Sequence, residues 1–319
     1  PLPMFIAMDQ PKHDVQRRTV GPVVSSPSLA RMSELIRERT QFVLDRVPFD
    51  EEFDWVDTVS IELTTMMLAT LFDFPFEDRR KLTRWSDVAT AGPETGIVDS
   101  EEQRRAELME CVEYFMNLWQ QRVGGDGHDL ITLLANGEET RNMDTMEYLG
   151  NLVLLIVGGN DTTRNSMSGS VYGSHLFPAE WEKVRANRDL IPNTVAEIIR
   201  WQTPLAYMRR TALEDVELHG KTIKRGDKVA MWYASGNRDE RKFERPDELI
   251  FDRDNARNHI SFGFGNHRCF GNRLAELQLQ ILWDEMLKRF SKIEVIEEPL
   301  RNFSSFVKGY TKMHVICRR

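Results

Sequence analysis

The sequence has few cysteines and no long apolar run. Its three cysteines, Cys111, Cys269 and Cys317, are odd in number and widely spaced over 319 residues. That pattern argues against a disulfide framework and favours a reducing, cytoplasmic setting. The longest apolar run, residues 152–157, is far shorter than the roughly 20 residues that cross a bilayer. We therefore expect a cytoplasmic chain without a transmembrane segment.

Positive charge is not in excess either. The chain has 42 Lys and Arg against 50 Asp and Glu, a formal net charge of −8 at pH 7, so its overall field gives no indication of a nucleic-acid partner. No signal peptide is visible, and the first residues, PLPMFIAMDQ, do not start with an initiator methionine. We expect the chain to begin inside a longer protein.

Helical patterns dominate what the sequence does contain. Apolar residues recur with helical periodicity in residues 28–47, 77–90 and 100–122. Asp144 and Glu147 form a capping-box pattern that opens a long helix running to about Leu176. Pro178 and Pro192 each suit the first turn of a further helix. These patterns predict a mainly α chain.

Short β segments are expected in the last third of the chain. Residues 213–234 are typical of short strands with a turn at 224–227, and residues 303–317 of a strand pair that turns at Lys308 and Gly309. No repeat, linker or domain boundary is visible. We therefore predict a single domain over residues 1–319, mainly α with a minor β portion.

The most distinctive segment is FGFGNHRCFG, residues 262–271. Glycines surround Cys269 on both sides, and glycine permits tight turns and close approach of the backbone to a flat or bulky group. A strong helical pattern begins directly after the cysteine, so helix amides and the helix dipole favour its thiolate form. The segment predicts a cysteine whose sulfur is used.

A single thiolate limits the kinds of metal site that the sequence can form. Without further Cys or His residues at ligand spacing, Cys269 does not make a zinc site, whereas one axial thiolate is enough for haem iron. Two alternatives stay open on the residues alone. One is a buried, inert cysteine in a glycine-rich turn, and the other is a cysteine nucleophile paired with His259 or His267.

A second unusual segment is GGNDTT, residues 158–163, midway along the predicted long helix. Two glycines in a helix interior cost roughly 1 kcal/mol each relative to alanine. A sequence that accepts this cost usually needs a kink or the close approach of a ligand. Asp161 and Thr162 beside them could relay protons through water. The alternative is a helix-interior threonine that bonds its own backbone.

Together, the pattern F-G-x-G-x-x-x-C-x-G from Phe262 to Gly271 and the GGNDTT segment resemble the cytochrome P450 family of haem-thiolate monooxygenases. The resemblance covers essentially all of the chain. It implies the P450 fold, haem b (iron protoporphyrin IX) as the cofactor and Cys269 as ligand of the haem iron. It also implies that Phe262, Gly263 and Gly271 shape the loop around the haem.

The family's E-x-x-R motif is present at Glu197 and Arg200. The resemblance implies a buried ion pair that locks the core behind the haem, with Arg253 as its third member. Taken alone, the motif is also what an i,i+3 pair on a helix surface looks like, and such a pair contributes only about 0.2–0.5 kcal/mol.

Cations for the two haem propionates form a third implied set, because carboxylates in a partly closed pocket need donors. The family's positions correspond to His13 and Arg17, one helical turn apart, to Arg209 in an extended stretch, and to His267 two residues before the cysteine. Taken singly, each of these side chains could equally be a solvated surface group.

On the opposite side of the haem, the resemblance places Gly158 and Gly159 over the oxygen-binding face. It makes Asp161 and Thr162 the acid–alcohol pair that delivers protons to dioxygen. Residues 154–166 and 259–283 resemble the bacterial alkane and fatty-acid ω-hydroxylase branch. The expected substrate is therefore a small aliphatic molecule, a medium-chain alkane or fatty acid. Its apolar pocket is predicted at Leu154, Leu205, Ala206 and Phe306.

The resemblance also implies dioxygen as co-substrate and electrons from a ferredoxin and its ferredoxin reductase. Cations near the thiolate form the expected partner surface, namely Lys12, Arg18, Arg268 and Arg273. The family has further helices, strands and a substrate-covering loop before the segment that starts at Met8, so we expect a fragment without them. The rival to an active monooxygenase is a truncated haem-binding remnant without turnover.

Overall fold

A computed structural model describes residues 3–319, most of which are helical. The α-helices are α1 (Lys12–Val20), α2 (Ser26–Leu44), α3 (Glu62–Phe72), α4 (Arg80–Thr90), α5 (Glu101–Arg122), α6 (Leu130–Asn136), α7 (Thr145–Leu176), α8 (Pro178–Ala186), α9 (Ile191–Gln202), α10 (Tyr233–Gly236) and α11 (Asn272–Arg289). A π-helical segment, Val56–Ile61, leads into α3. No helix within residues 3–319 combines the length and apolarity needed to cross a bilayer.

The strands are short and all pairings between them are antiparallel. They are β1 (Glu52–Asp54), β2 (Met208–Thr211), β3 (Val216–Leu218), β4 (Lys221–Ile223), β5 (Lys228–Met231), β6 (Lys292–Val295), β7 (Leu300–Arg301), β8 (Tyr310–Lys312) and β9 (His314–Arg318). One sheet has three strands in the order β1-β9-β6, and the others are the pairs β2-β5, β3-β4 and β7-β8. The predicted fold, mainly α with a minor β portion, is confirmed.

The long helix begins where the sequence predicts. The Asp144 carboxylate accepts a hydrogen bond from the Glu147 amide at 2.9 Å, which satisfies one of the free donors at the start of α7. Glu147 does not complete the reciprocal half of a capping box. Its carboxylate instead accepts from Lys12 Nζ at 2.8 Å and from the Gln16 side chain, both on α1. The start of α7 is thereby tied to α1.

The strand pair predicted within residues 303–317 is wrong. β8 pairs with β7, and β9 is the central strand of the three-stranded sheet. Lys308 and Gly309 do not turn the chain, because the Lys308 amide donates to the Pro204 carbonyl at 2.9 Å and residues 306–308 run beside residues 204–206. A local pattern could not show this partner, which lies about a hundred residues earlier in the sequence.

The turn predicted at residues 224–227 joins two strands that do not pair with each other. β4 pairs with β3 through a turn at His219 and Gly220, whose φ angles are 50° and 73°. β5 pairs with β2, on the other side of that hairpin. The prediction of short strands in residues 213–234 is confirmed, but their pairing differs.

Two apolar clusters form the core, and α7 contributes to both. Leu152 and Ile156 pack with residues of α3, α4, α5 and α6. Met167 and Val171 pack with α9, α11 and the sheet of β6 and β9. Because one rigid helix runs through both clusters, it fixes the two halves of the molecule relative to each other.

The E-x-x-R residues lie in the second half of this core. Glu197 and Arg200 on α9 are fully buried and paired twice, at 2.7 and 2.8 Å. Arg253, also buried, donates from Nε to the same carboxylate at 3.0 Å. The remaining Arg200 donors reach backbone carbonyls, including those of Asn237 and Pro246 at 2.7 Å each. These positions do not match the alternative of a solvated surface pair.

Replacing Glu197 by Gln should destabilise the protein strongly, because two buried guanidinium groups would lose the carboxylate that they share. Removal of one partner from a buried ion pair costs about 3–5 kcal/mol. The measurement is the free energy of unfolding in urea. Glu182→Gln is the matched control, since Glu182 forms an exposed i,i+3 pair with Arg185 on α8. Comparable losses in the two variants would contradict the structural role assigned to Glu197.

Candidate functional site

The cysteine loop, residues 262–271, is a tight turn closed by its own backbone. The Cys269 amide donates to the Phe262 carbonyl at 2.7 Å. Gly263 and Gly265 have φ angles of 68° and 74°, a left-handed conformation that glycine adopts without steric strain. At Gly263 a Cβ would also lie 2.9 Å from a tyrosine hydroxyl of α10. Both the turn and its packing therefore require glycine.

Cys269 is half-buried and lies just before α11, for which Gly271 is the N-cap residue. Burial raises the pKa of the thiol, whereas the Gly271 amide and the charges of Arg17 and Arg268 act to lower it. The net shift of the thiol pKa is upward. The sulfur therefore stays protonated unless an electrophile takes the place of the proton. A metal ion is such a group, because a coordinating thiol is deprotonated outright.

A metal site with several protein ligands and a cysteine nucleophile paired with histidine both find little support around this sulfur. Within residues 3–319, no group of three or more His, Cys, Asp or Glu side chains could hold a metal ion. His259 accepts from the Ser261 amide at 3.3 Å, and burial lowers the pKa of His259 to about 4. His267 packs edge-on against His13, with 4.3 Å between ring centroids. His259 thus makes a backbone hydrogen bond and His267 packs against another ring, and neither contact involves the sulfur of Cys269.

His13 and His267 form the start of a donor cluster beside the cysteine loop. His13 is buried, and its Nδ1 lies 2.7 Å from Asp14 Oδ1. His13 Nε2 and His267 Nδ1 are buried without a hydrogen-bond partner. Arg17, one turn after His13, donates to the Arg268 carbonyl at 2.7 Å. Unpartnered buried nitrogens fit a group that brings acceptors, such as the carboxylates of a haem.

Arg209 does not join this cluster. Along β2, exposed and half-buried residues alternate, and Arg209 is exposed while its neighbour Arg210 is half-buried. Burial lowers the pKa of His267, and the charges of His13 and Arg210 add to that shift, whereas burial raises the pKa of Tyr233 and the Arg210 charge opposes the rise. In a strand, successive side chains point to opposite faces. Strand register and burial therefore favour Arg210, rather than the predicted Arg209, as a member of the donor cluster.

Gly158 and Thr162 lie one turn apart on an accessible stripe of α7. A Cβ at Gly158 would meet nothing within 4 Å, whereas one at Gly159 would lie 2.8 Å from Leu68 of α3. Only the second glycine is therefore required by packing against protein. Thr162 Oγ1 donates to the Gly158 carbonyl at 2.8 Å, which is the bond of the alternative interpretation. The hydroxyl oxygen still has lone pairs with which to accept.

Asp161 faces away from that stripe and is buried. Its carboxylate lies 3.1 Å from Arg164 and accepts from Ser86 Oγ at 3.1 Å. Arg164 also pairs with the half-exposed Asp87 at 2.7 Å. Burial raises the pKa of Asp161 to about 6, although the Arg164 charge opposes this shift. A carboxyl group with this pKa can both take up and release a proton near neutral pH.

Three of the four predicted pocket residues lie together on a two-stranded pairing that we call the pocket ladder, residues 204–206 and 306–308. The Ala206 amide donates to the Phe306 carbonyl at 2.9 Å, and Leu205 bridges to residue 307. Tyr207, which sequence reasoning missed, lies 5.7 Å from the Phe306 ring. Leu154 lies on α7, one turn before Gly158 and half-buried like the others.

The chain is similar to known proteins over nearly its whole length. Residues 179–311 match the family model described as cytochrome P450. The chain is 34% identical to linalool 8-monooxygenase of Pseudomonas putida, over 98% of this chain and 77% of that protein. It is 29% identical to a methyl-branched lipid omega-hydroxylase of Mycobacterium bovis, over 98% of this chain and 74% of that protein.

Solved structures show the same relationship. The chain is similar to CYP153D17 from Sphingomonas sp. PAMC 26605, with a TM-score of 0.93 and 54% identity over 100% of this chain and 80% of that one. It is also similar to cytochrome P450-153 from Novosphingobium aromaticivorans, with a TM-score of 0.91 and 51% identity over 99% of this chain and 78% of that one.

Arg210→Ala should weaken haem retention, whereas Arg209→Ala should not. A hydrogen bond to a charged group contributes about 1.5–3 kcal/mol, so haem transfer to apomyoglobin should become roughly tenfold faster or more in the first variant. The two arginines are adjacent and differ in exposure, which makes each the control of the other. Equal transfer rates would contradict the assignment of Arg210, and faster loss from Arg209→Ala would favour Arg209.

Asp161→Asn should change how stability depends on pH. The folded chain raises the pKa of Asp161 from 3.8 to about 6, so the favourable contribution of the protonated form is complete below the lower value and is lost as pH rises through the upper one. The variant does not titrate. Its melting temperature should therefore gain on that of the wild type between about pH 5 and pH 7. A difference that stays constant across this range would contradict the raised pKa.

Proposed function

Because this chain belongs to the cytochrome P450 family, we propose that it hydroxylates the terminal carbon of a medium-chain alkane or fatty acid. The chain is a haem-thiolate monooxygenase. In the proposed reaction one oxygen atom of O2 enters a C–H bond and the other leaves as water, with two electrons and two protons consumed. When bound, haem supplies the reductive activation of dioxygen.

The residues on the side of the cysteine loop would bind the haem in this proposal. Cys269 would hold the haem iron through its thiolate, at the end of a loop whose shape depends on Gly263. Donors from separate elements would bind the two propionates. They are His13, Arg17, Arg210 and His267.

The residues on the opposite side of the haem would deliver protons to the reacting oxygen. Thr162 Oγ can accept from a water molecule while it donates to the Gly158 carbonyl. Asp161, one residue earlier, would exchange protons through its hydrogen bond with the Ser86 hydroxyl, while Arg164 at 3.1 Å stabilises its charged form. A hydroxyl at the reacting site with a titratable carboxyl group behind it supports controlled proton delivery.

The pocket ladder supports an aliphatic substrate. Its side chains Leu205, Ala206 and Phe306 are apolar and half-buried, and they lie together through the Ala206–Phe306 backbone bond. Ligand pockets are apolar in general, so the apolar lining alone does not select a substrate. The names of the relatives supply the second argument. One relative is named a methyl-branched lipid omega-hydroxylase, a name that denotes oxidation at the terminal carbon of a lipid chain.

Product analysis with purified components tests the proposal. The haem-loaded chain is combined with a ferredoxin, ferredoxin reductase, NADH and either n-octane or dodecanoic acid. We expect 1-octanol or the ω-hydroxy acid, and no product from Cys269→Ala. A wild-type chain that takes up electrons but forms no hydroxylated product from either probe would contradict the substrate proposal and favour a haem-binding chain without turnover.

Thr162→Ala should uncouple electron consumption from product formation. Without the hydroxyl, protons reach the reacting oxygen less selectively, so we expect peroxide released per NADH to rise several-fold while substrate affinity changes by less than about threefold. Ser174→Ala is the control, since Ser174 on the same helix bonds only the Ser170 carbonyl. Peroxide at the wild-type level with unchanged product yield would exclude the proton role of Thr162.

A cationic surface near the cysteine loop supports an acidic electron donor, proposed here as a ferredoxin. Arg18, Arg268 and Arg273 are exposed. Lys12 is exposed too, but its ammonium group pairs with Glu147 at 2.8 Å, which reduces its contribution to the surface field. Complementary potentials steer the encounter of such partners and raise the association rate more than the affinity.

Reversing Arg18 and Arg273 to Glu should slow the first electron transfer at low salt. The salt dependence should also flatten, because screening shortens the Debye length from about 10 Å at 0.1 M to about 3 Å at 1 M. Stopped-flow reduction by the ferredoxin at several ionic strengths measures both effects. Arg185→Glu on α8 is the control reversal. Identical behaviour of the double variant and the wild type would place the partner surface elsewhere.

A further inference from the structure

The pocket ladder is too short to hold its own position. It consists of three residues on each side, joined by the Lys308–Pro204 and Ala206–Phe306 backbone bonds at 2.9 Å each. An isolated two-stranded pairing is at best marginally stable. The position of Leu205 and Phe306 in the pocket therefore depends on what anchors the ladder to the rest of the protein.

One anchor comes from α7. Asn165, fully buried, is three residues after Thr162, and its Oδ1 accepts from the Tyr310 amide at 3.0 Å. The side-chain amide lies flat against Gly309, where a Cβ would overlap it. Asn165 Nδ2 is buried without a partner, so the single hydrogen bond that the side chain makes is the one to the segment following the ladder.

The second anchor comes from the end of α9. Gln202, also fully buried, donates from Nε2 to the Lys308 carbonyl at 2.8 Å and accepts from the Tyr310 hydroxyl at 3.1 Å. Gly169 on α7 lies so close that a Cβ there would overlap the Gln202 amide. Gln202 is thus held between α7 and the ladder, and its bonds reach the same segment as those of Asn165.

We propose that Asn165 and Gln202 are positioning residues that fix the pocket ladder relative to α7, and thereby set which part of a bound aliphatic chain lies beside Thr162. The inference rests on the proposed function for the identity of the substrate. One helix, α7, carries Thr162 and, through Asn165, also holds the segment that follows the pocket ladder. Misplacement by about 1 Å can cost a hundredfold in rate, so small shifts of the ladder should alter where oxidation occurs.

Binding of n-alkylimidazoles tests the positioning role without turnover. The azole nitrogen binds haem iron while the alkyl tail lies in the pocket, and imidazole itself reports on the haem side alone. The variants are Asn165→Leu and Gln202→Leu, which remove the hydrogen bonds at similar size. Ser170→Ala is the control, because Ser170 is buried on α7 and bonds only the Met167 carbonyl.

We expect the affinity for 1-octylimidazole to fall about fivefold in Asn165→Leu, which loses one hydrogen bond, and by at least as much in Gln202→Leu, which loses two. Imidazole affinity should stay at the wild-type value, and Ser170→Ala should change neither. A lower melting temperature with an unchanged ratio of octylimidazole to imidazole affinity would show that both residues are only structural and would overturn the proposal.

A milder variant keeps the test decisive if the leucine variants do not fold. Tyr310→Phe removes only the hydroxyl that bonds Gln202, and it should move the affinity ratio in the same direction by a smaller factor. An unchanged ratio in Tyr310→Phe would then overturn the proposal. If the wild type hydroxylates no aliphatic probe, the substrate proposal fails, while the alkylimidazole ratio still decides the positioning role.

Discussion

The buried contact between Glu197 and two arginines determines where the cysteine loop lies. Arg200 donates to the Asn237 carbonyl at 2.7 Å, and Asn237 in turn bonds the Ile260 amide and the Ser261 hydroxyl at 2.8 Å each. Residue 261 adjoins the first residue of the cysteine loop. A continuous set of hydrogen bonds therefore runs from the charged centre of α9 to the segment that presents Cys269.

Such a centre contributes more to specificity than to net stability. Burying three charged groups costs several kcal/mol for each ion, which their mutual attraction offsets only when every donor is paired. Here Arg200 and Arg253 direct their remaining donors to backbone carbonyls of residues 237–248. This irregular stretch of chain thereby adopts one conformation, which fixes the position of the cysteine loop that follows it.

Local signals predicted α7 and the helices at Pro178 and Pro192, because caps and prolines act within a few residues. They did not predict α3, in which all residues from Leu63 to Ala69 are buried and no polar face marks the helical period. Pairing over long separations, as in the pocket ladder, left no local signal. The sequence could not distinguish Arg209 from Arg210, because only strand register decides which of two adjacent side chains faces inward. The motifs around Cys269 and Gly158 could be recognised from the sequence because each departs from ordinary helix or loop composition.

The assignment of Cys269 as the thiolate ligand of haem iron is tested most directly by one absorption spectrum. The haem-loaded chain is reduced and exposed to carbon monoxide, and Cys269→Ser is treated in the same way. We predict the long-wavelength Soret band of thiolate ligation in the wild type and its loss in the variant. The same long-wavelength band in Cys269→Ser, or its absence from a wild-type chain that has bound haem, would contradict the assignment.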